Sequence, residues 1–401
     1  HLSVKGDMTG PVSSQIVLRE PTVDIAVLET ARGGIARSGL GYFESDVAAC
    51  INVQEDHLGM RGIDTLDQLA EVKRIVVEVA KDSVVLNADD DQCLKMADHT
   101  KAKHLCYVTM NAGHGLVREH IRAGGRAVVL EKSINGEMIT IFDNGAHIPL
   151  LWTHLIPATL EGKAIHNVQN AMFAAALAYS LGKSLEHIQQ GLRTFNTTFF
   201  QAPGRMNVFD EHPFRVILDY AHNADGVRYM SELATKLEVA GKRITVLAGP
   251  GDRRDIDIEN IAKAASGHFD IYICKADDNR RGRGFDEVPQ KMAKVLREQG
   301  IKEENIFVIP DEVEAIEKGL SIAEHDDLVI VFGDAITRCW KQIVHFNSES
   351  SSENQDETPS QDFPEKLFEP IEHKFELNEG ESLVHDERGV RLVVEHDEES
   401  D

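Results

Sequence analysis

Five short, almost unbroken apolar runs, at residues 214–218, 244–247, 271–274, 306–309 and 328–332, alternate with amphipathic helical stretches. Strands that are apolar on both sides must be covered on both sides, and helices above and below a mainly parallel sheet do this. The pattern predicts a Rossmann-like, doubly wound α/β domain over residues 199–345. In such sheets the chemistry gathers where strands end and loops begin.

Upstream of it the order is also βαβ-like. Residues 23–28 and 47–53 read as short strands. A helix is expected over 65–79, with Leu66, Leu69, Val72, Val76 and Val79 at helical spacing. Residues 104–160 are β-rich and punctuated by glycine, which reads as an insertion or small subsheet. Helical character returns over 166–181, where Val168, Met172, Ala175, Ala176 and Tyr179 share one face, and over 184–195, with Ser184 as N-cap. The expected organisation is a first α/β domain over 1–198, a second over 199–345, and a largely disordered acidic tail over 346–401. Within that tail, 348–362 is rich in Ser, Glu, Gln and Asp, and only 390–394 reads as a strand.

Charge and composition narrow the function. The formal net charge is −25, of which the tail contributes −14 through 18 acidic and 4 basic side chains. A body this acidic repels phosphate backbones and argues against nonspecific nucleic-acid binding. No apolar stretch approaches the 18 residues of a membrane span, and no signal peptide is visible. The five cysteines, Cys50, Cys93, Cys106, Cys274 and Cys339, contain no CxxC pair, which reads as buried free thiols in a reducing cytoplasm. A first residue His1, rather than Met, with a strand following almost at once, reads as a piece of something longer.

The motifs lie at the predicted strand ends. Glu29-Thr30-Ala31-Arg32-Gly33-Gly34 follows the first strand and Glu55-Asp56-His57-Leu58-Gly59 the second. A Glu at a strand end is in isolation more often solvated than a ligand, but a Glu and a His from adjacent strand ends can share one hard divalent ion. Lys73 by pattern alone is a helix-surface lysine, and Asn170 a cap or turn former. Arg205 follows Pro203-Gly204 at the domain junction, where an interdomain salt bridge is the plain reading. Asp219-Tyr220-Ala221-His222-Asn223 and Gly249-Pro250-Gly251-Asp252-Arg253-Arg254-Asp255 end two further strands, and Lys275-Ala276-Asp277-Asp278-Asn279-Arg280-Arg281-Gly282-Arg283 is a charged loop.

That ordered series resembles the Mur ligase superfamily, and its wording is similar to the branch that makes a nitrogen-storage polymer of aspartate and arginine. The resemblance covers about residues 1–345. It implies a central ATPase domain, a Rossmann-like C-terminal domain, and an ATP- and Mg²⁺-dependent carboxylate–amine ligase in the cytoplasm. ATP, arginine and the Asp–Arg polymer are the implied partners, and a homo-oligomer the implied assembly.

Residue by residue, the resemblance implies metal ligation by Glu29, His57 and a carbamylated Lys73. It implies adenine contact by Asn170, ribose contact by Asp219, and γ-phosphate contact by Arg205. For His222, packing behind the site and phosphate contact stay equally open. Thr9, in the Gly6–Pro11 segment, resembles the acceptor loop, and Asp277, Asp278, Arg281 and Arg283 the amino-acid-recognition loop. The family's glycine-rich phosphate loop ending Gly-Lys-Thr does not occur in these 401 residues. It is expected on upstream sequence, together with an ATP-grasp domain, and the chain alone is expected to be inactive. The rival readings are another Mur-type ligase (muramyl-peptide, folylpolyglutamate or poly-γ-glutamate) and a catalytically dead binding module.

Overall fold

The computed structural model describes residues 9–346 apart from 56–57 and 60–61, together with the backbone of 381–386 and 389–394. Two compact units result, 1–351 and 352–401. The expectation of disorder over 348–362 lies outside the described residues.

The first unit holds two six-stranded sheets. In the first, β1 (Ser45–Cys50), β2 (Ala80–Asn87), β3 (His104–Thr109) and β4 (Arg126–Ser133) run parallel, and β5 (Gly136–Asp143) and β6 (Ala146–Trp152) are added antiparallel. The strands between 104 and 152 therefore extend the one sheet rather than forming a separate subsheet. The reversal after β5 is made by Asn144 and Gly145, both at positive φ (49° and 80°), the two-residue hairpin turn whose twist matches that of the strands.

Residues 23–28 form no strand, contrary to expectation. Val23, Ile25 and Val27 are exposed, because alternating apolar residues become a strand only where a neighbour supplies the ladder, and β1 pairs with β2 alone. The strand expected over 47–53 ends at Cys50. Beyond it side chains take over the backbone's partners: Asn87 Nδ2 donates to the Ile51 carbonyl (2.8 Å), and the Val53 N–H donates to Asp90 Oδ2 (2.9 Å).

The helix Leu66–Glu78 begins at a capping box. Thr65 accepts from the Gln68 N–H, and Gln68 reaches back to the Thr65 N–H. It buries Leu69, Ala70 and Val77. Helix Ile165–Ser180 buries Val168, Met172, Phe173, Ala175 and Ala176 on the opposite face of the sheet, and helix Leu185–Thr194 follows with Ser184 as its N-cap.

In the second sheet β7 (Asn207–Phe209), β8 (Arg215–Asp219), β9 (Arg243–Leu247), β10 (Ile271–Cys274), β11 (Ile306–Val308) and β12 (Leu328–Phe332) lie in the order β11-β10-β9-β12-β8-β7. All are parallel except β7, an unforeseen three-residue antiparallel edge strand. Helices cover both faces, giving two separate cores. The doubly wound fold expected from the five apolar runs is the one present. In the second unit β13 (Glu381–Asp386) and β14 (Gly389–Val394) form an antiparallel hairpin, so residues 390–394 lie in a strand that has a partner.

Replacing Thr65 with Ala removes the side-chain half of the capping box at the start of Leu66–Glu78. The expected loss is about 1 kcal/mol, read as a lower denaturant midpoint with an unchanged slope.

Candidate functional site

A cleft of about 990 Å³ opens between the two sheets, at the carboxyl ends of β1, β2 and β8. Its first wall is built from loops that carboxylates and amides hold open. Asp90 caps the helix Asp91–Lys95 through the Cys93 N–H (2.9 Å) while also holding Val53. Asp89 accepts from the Thr109 hydroxyl (2.6 Å) and the Met110 N–H (2.7 Å). Lys73 enters from its helix and donates to the Asn52 carbonyl at 3.0 Å. It lines the cleft half-buried, so it is not a plain surface lysine.

Asn170 lies in the second turn of Ile165–Ser180 rather than at its cap, which is Ala164. Its amide donates to Asn167 Oδ1 (3.2 Å), and Asn167 in turn donates to the Ala158 carbonyl (2.7 Å). His166 at the start of this helix faces the Tyr229 ring, with centroids 5.8 Å apart, and burial pushes its imidazole down to about 4. It is therefore neutral at physiological pH.

The second wall turns on the segment Pro203-Gly204-Arg205-Met206-Asn207. Gly204 sits at φ +73°, and a Cβ there would lie 2.9 Å from Ile336, so both conformation and space require glycine. Buried Asn207 donates to the carbonyls of Thr197 and Ala202 (2.8 Å each) and accepts the Gly204 N–H (2.7 Å). Asp219 takes one backbone amide on each oxygen, Ala221 on Oδ1 (2.7 Å) and Met206 on Oδ2 (2.8 Å). Burial pushes its carboxyl up, and those two amides together with Arg205 pull it back. The turn pushes Arg205 out to the cleft, its guanidinium 5.6 Å from the centre of the Tyr220 ring. His222 donates from Nδ1 to the Tyr220 carbonyl (3.0 Å), which fixes the orientation of its ring.

His222 and Ala221 also line a smaller cavity of about 180 Å³, with Tyr220, Arg253, Asp277, Arg281 and Asp334 around it. Below it Lys275 and Glu312, both fully buried, form an ion pair at 2.9 Å. Glu312 also accepts the N–H groups of Asp334 (2.7 Å) and Ala335 (3.2 Å), and pairs with Arg338. Burial alone would raise its carboxyl, but Lys275 beside it outweighs that and holds it down at about 2. Asp277 lies 3.8 Å from the same lysine, and burial pushes its carboxyl up.

The predicted residues do not all converge. Lys73, Asn170, Arg205, Asp219 and His222 line the large cleft, and His222, Asp277 and Arg281 the small cavity. Arg281 pairs there with Asp252. Arg283 is not brought to either: its guanidinium donates to Asp255, to Glu287 and to the carbonyls of Gly251 and Arg253, at 2.6 to 2.8 Å, and so staples the loop. Asp278 pairs instead with Arg338 (2.7 Å). Glu29 is exposed and outside the cleft lining, because no strand carries it there. Thr9, whose carbonyl accepts the Ala31 N–H (3.2 Å), is likewise outside. His57 lies outside the described residues. Among the described residues no group of three His, Cys, Asp or Glu is gathered for a metal.

Sequence reading passed over Asp89, Asp90 and Glu312, and took Lys275 only as the first residue of the charged loop. The run Asn87-Ala88-Asp89-Asp90 after an apolar strand was the available signal for the first two. Nothing local marks Glu312 as the partner of a lysine 37 positions away. The two lobes also meet directly: Arg254 lies 3.6 Å from Glu55, and Asn167 reaches the Met206 sulfur at 3.9 Å.

Two linked sheets whose strand ends share one cleft, with a Pro-Gly-Arg-Met-Asn junction between them, place the chain in a defined group. The Mur ligase middle-domain model matches residues 10–178, and the model of the Mur ligase glutamate ligase domain matches residues 204–335. The chain belongs to the Mur ligase superfamily. Within it, the chain is 40% identical over 372 residues to a cyanophycin synthetase of Trichormus variabilis, covering 90% of this chain and 39% of that one. To a cyanophycin synthetase of Synechocystis it is 41% identical over 340 residues, 83% and 38% of the two chains. A UDP-N-acetylmuramoyl-L-alanyl-D-glutamate--2,6-diaminopimelate ligase of Caldanaerobacter subterraneus is 27% identical over 316 residues, 78% and 58% of the two. The chain thus spans about two fifths of the length of those cyanophycin synthetases.

Among solved structures, E. coli FolC in complex with DHPP and ADP is similar with a TM-score of 0.54 at 18% identity, covering 75% of this chain and 61% of that one. A bifunctional folylpolyglutamate synthase/dihydrofolate synthase of Yersinia pestis, complexed with AMPPNP and Mn ion, gives 0.52 at 20% identity, with 75% and 62% covered. These likenesses concern the fold. No helix among the described residues is long and apolar enough to cross a membrane.

Glu312→Gln leaves the Lys275 ammonium buried without its nearer carboxylate, with only Asp277 at 3.8 Å. The expected cost is about 3 to 5 kcal/mol, read by chemical denaturation at neutral pH. The carboxyl of Glu312 is held below its ordinary 4.5, so its stabilisation is complete above that pH and disappears as pH falls towards 2. The stability of Glu312→Gln should accordingly change less than that of the natural chain over that interval.

Proposed function

We propose that the chain is the ligase portion of a cyanophycin synthetase, which joins arginine to the β-carboxylate of aspartate in an Asp–Arg polymer. The carboxylate takes the γ-phosphoryl group of ATP to become an acyl phosphate, the α-amine of arginine attacks its carbonyl carbon, and phosphate leaves. The observation that carries this reading is the pair of adjoining cavities. One lies between the sheets with Lys73, Asn170 and Arg205 on its walls, and a smaller one with Asp277, Arg281 and Arg253 opens beside it, sharing His222. Identity of 40% to cyanophycin synthetases, against 27% to the diaminopimelate ligase, favours this branch over the other Mur-type ligases. We place the division between the two catalytic domains at 198/199, and the tail from 346.

In this reading ATP occupies the large cleft. Asn170 meets the adenine, Asp219 the ribose side of the wall, and Arg205 the γ-phosphate, where a guanidinium offsets charge during in-line transfer. Mg²⁺ would be held by Glu29, His57 and carbamylated Lys73, an oxygen-rich set that suits a hard cation, with Glu29 moving to the cleft. When bound, the ion offsets the mutual repulsion of phosphate and carboxylate. The place of Lys73 in the cleft lining supports its carbamylation. Asp277, in the low-dielectric wall of the small cavity, receives the arginine guanidinium, and Arg281 its α-carboxylate, a pairing of planar forks.

The phosphate cradle is absent from these 401 residues, so the chain alone should bind ATP weakly and release no ADP in response to arginine. Calorimetric titration with Mg-ATP reads this, and micromolar affinity would overturn it. In a complete enzyme containing this chain, Lys73→Ala should abolish ligation, with partial rescue by short carboxylic acids that replace the carbamate oxygens. Near-normal turnover would return Lys73 to a structural role. Asp277→Asn should raise the KM for arginine by roughly thirtyfold or more, as expected for a desolvated charge pair losing one member, and leave that for ATP nearly unchanged. ADP formation driven by another amino acid in preference to arginine would assign the enzyme to a different Mur-type ligase.

A further inference from the structure

We propose that Cys50 and Cys93 are a redox modification site, closing to a reversible disulfide beneath the wall of the cleft. Their sulfurs lie 3.5 Å apart although the residues are 43 positions apart in sequence. Cys50 is the last residue of β1 and Cys93 sits in the helix Asp91–Lys95 that follows β2. Two independent restraints hold them together. β1 and β2 are parallel neighbours, with Cys50 opposite Leu86. The Asp90 carboxylate then bonds the backbone of Cys93 through Oδ1 and that of Val53 through Oδ2, both at 2.9 Å.

A disulfide of about 2.05 Å requires the sulfurs to approach by roughly 1.5 Å, a side-chain adjustment between backbones that are already clamped. Cys50 is 7% exposed and Cys93 fully buried, so Cys50 is the sulfur that a small oxidant reaches first. The oxidant is hydrogen peroxide. The Cys50 thiolate attacks one peroxide oxygen, the O–O bond breaks, and the departing oxygen leaves as water after taking up protons. The Cys93 sulfur then attacks the sulfur of the sulfenic acid so formed, its S–O bond breaks, and the hydroxyl leaves with a proton as a second water while the S–S bond forms. Two thiols and one peroxide thus give one disulfide and two waters, and a dithiol reverses it. The bond would tie the end of β1, whose next two carbonyls are held by Asn87 and Lys73, to the helix behind the cleft. The site does not depend on the ligase reading.

The test is peptide mapping of the folded chain after exposure to excess hydrogen peroxide, with alkylation under denaturing, non-reducing conditions. The expected product is a Cys50–Cys93 linked peptide two hydrogens lighter than its parts and separated by dithiothreitol. Cys106, which contacts the Tyr107 carbonyl instead, should stay alkylatable. In Cys93→Ser the reaction should stop at a Cys50 sulfenic acid that dimedone traps. Full alkylation of both Cys50 and Cys93 in the peroxide-treated natural chain, or linkage of Cys50 to another cysteine, would overturn the proposal, and that mapping needs no variant to fold.

Discussion

The junction between the lobes depends on one carboxylate. Asp219 ends β8, where β12 on one side and β7 on the other fix the backbone, and it gives one oxygen to each of two amides that no strand could satisfy. One of those belongs to Met206, a non-glycine residue at φ 51°, a conformation that persists only when its surroundings over-determine it. The Asn207 amide supplies the rest of that determination. Together they pin a five-residue turn that presents Arg205 to the cleft. A carboxylate that terminates a strand, orders its own next turn and anchors a preceding one is therefore the point through which the sheet sets the geometry of the junction.

The fold was legible because its signals are local. Runs such as Leu328–Phe332 cannot be anything but buried strands, and the helix over Leu66–Glu78 announces itself through apolar spacing and a Thr/Gln capping box. Where the reading went astray, the deciding physics was non-local. Residues 23–28 carry a strand's composition but have no ladder partner in the sheet. Three residues at 207–209 carry no strand signal, yet pair because the turn at Gly204 brings them against β8.

The candidate site divides the same way. Strand-end placement singled out Asp219 and His222, since the ends of parallel strands are where side chains can meet without burying backbone, and the Pro203-Gly204 junction singled out Arg205. Arg281 and Arg283 are equally suggestive on paper. Only the three-dimensional partners separate them, Asp252 for one and, for the other, four acceptors on Gly251, Arg253, Asp255 and Glu287. The Lys275–Glu312 pair was invisible for a related reason. Its members belong to different βα units, and a buried charge is recognised by its counter-charge rather than by its neighbours in sequence.

Glu55 and Arg254 come from two of the strand-end motifs, one on each lobe, and meet at 3.6 Å with both side chains substantially exposed. An ion pair in that setting contributes at most about 1 kcal/mol and is screened by salt. A latch so weak holds the lobes without committing them: thermal energy suffices to part it, and it re-forms without a large barrier. Raising the ionic strength therefore loosens the rim of the cleft first, while the contacts inside it, His166 against Tyr229 and Asn167 against Met206, carry no net charge pair for salt to screen.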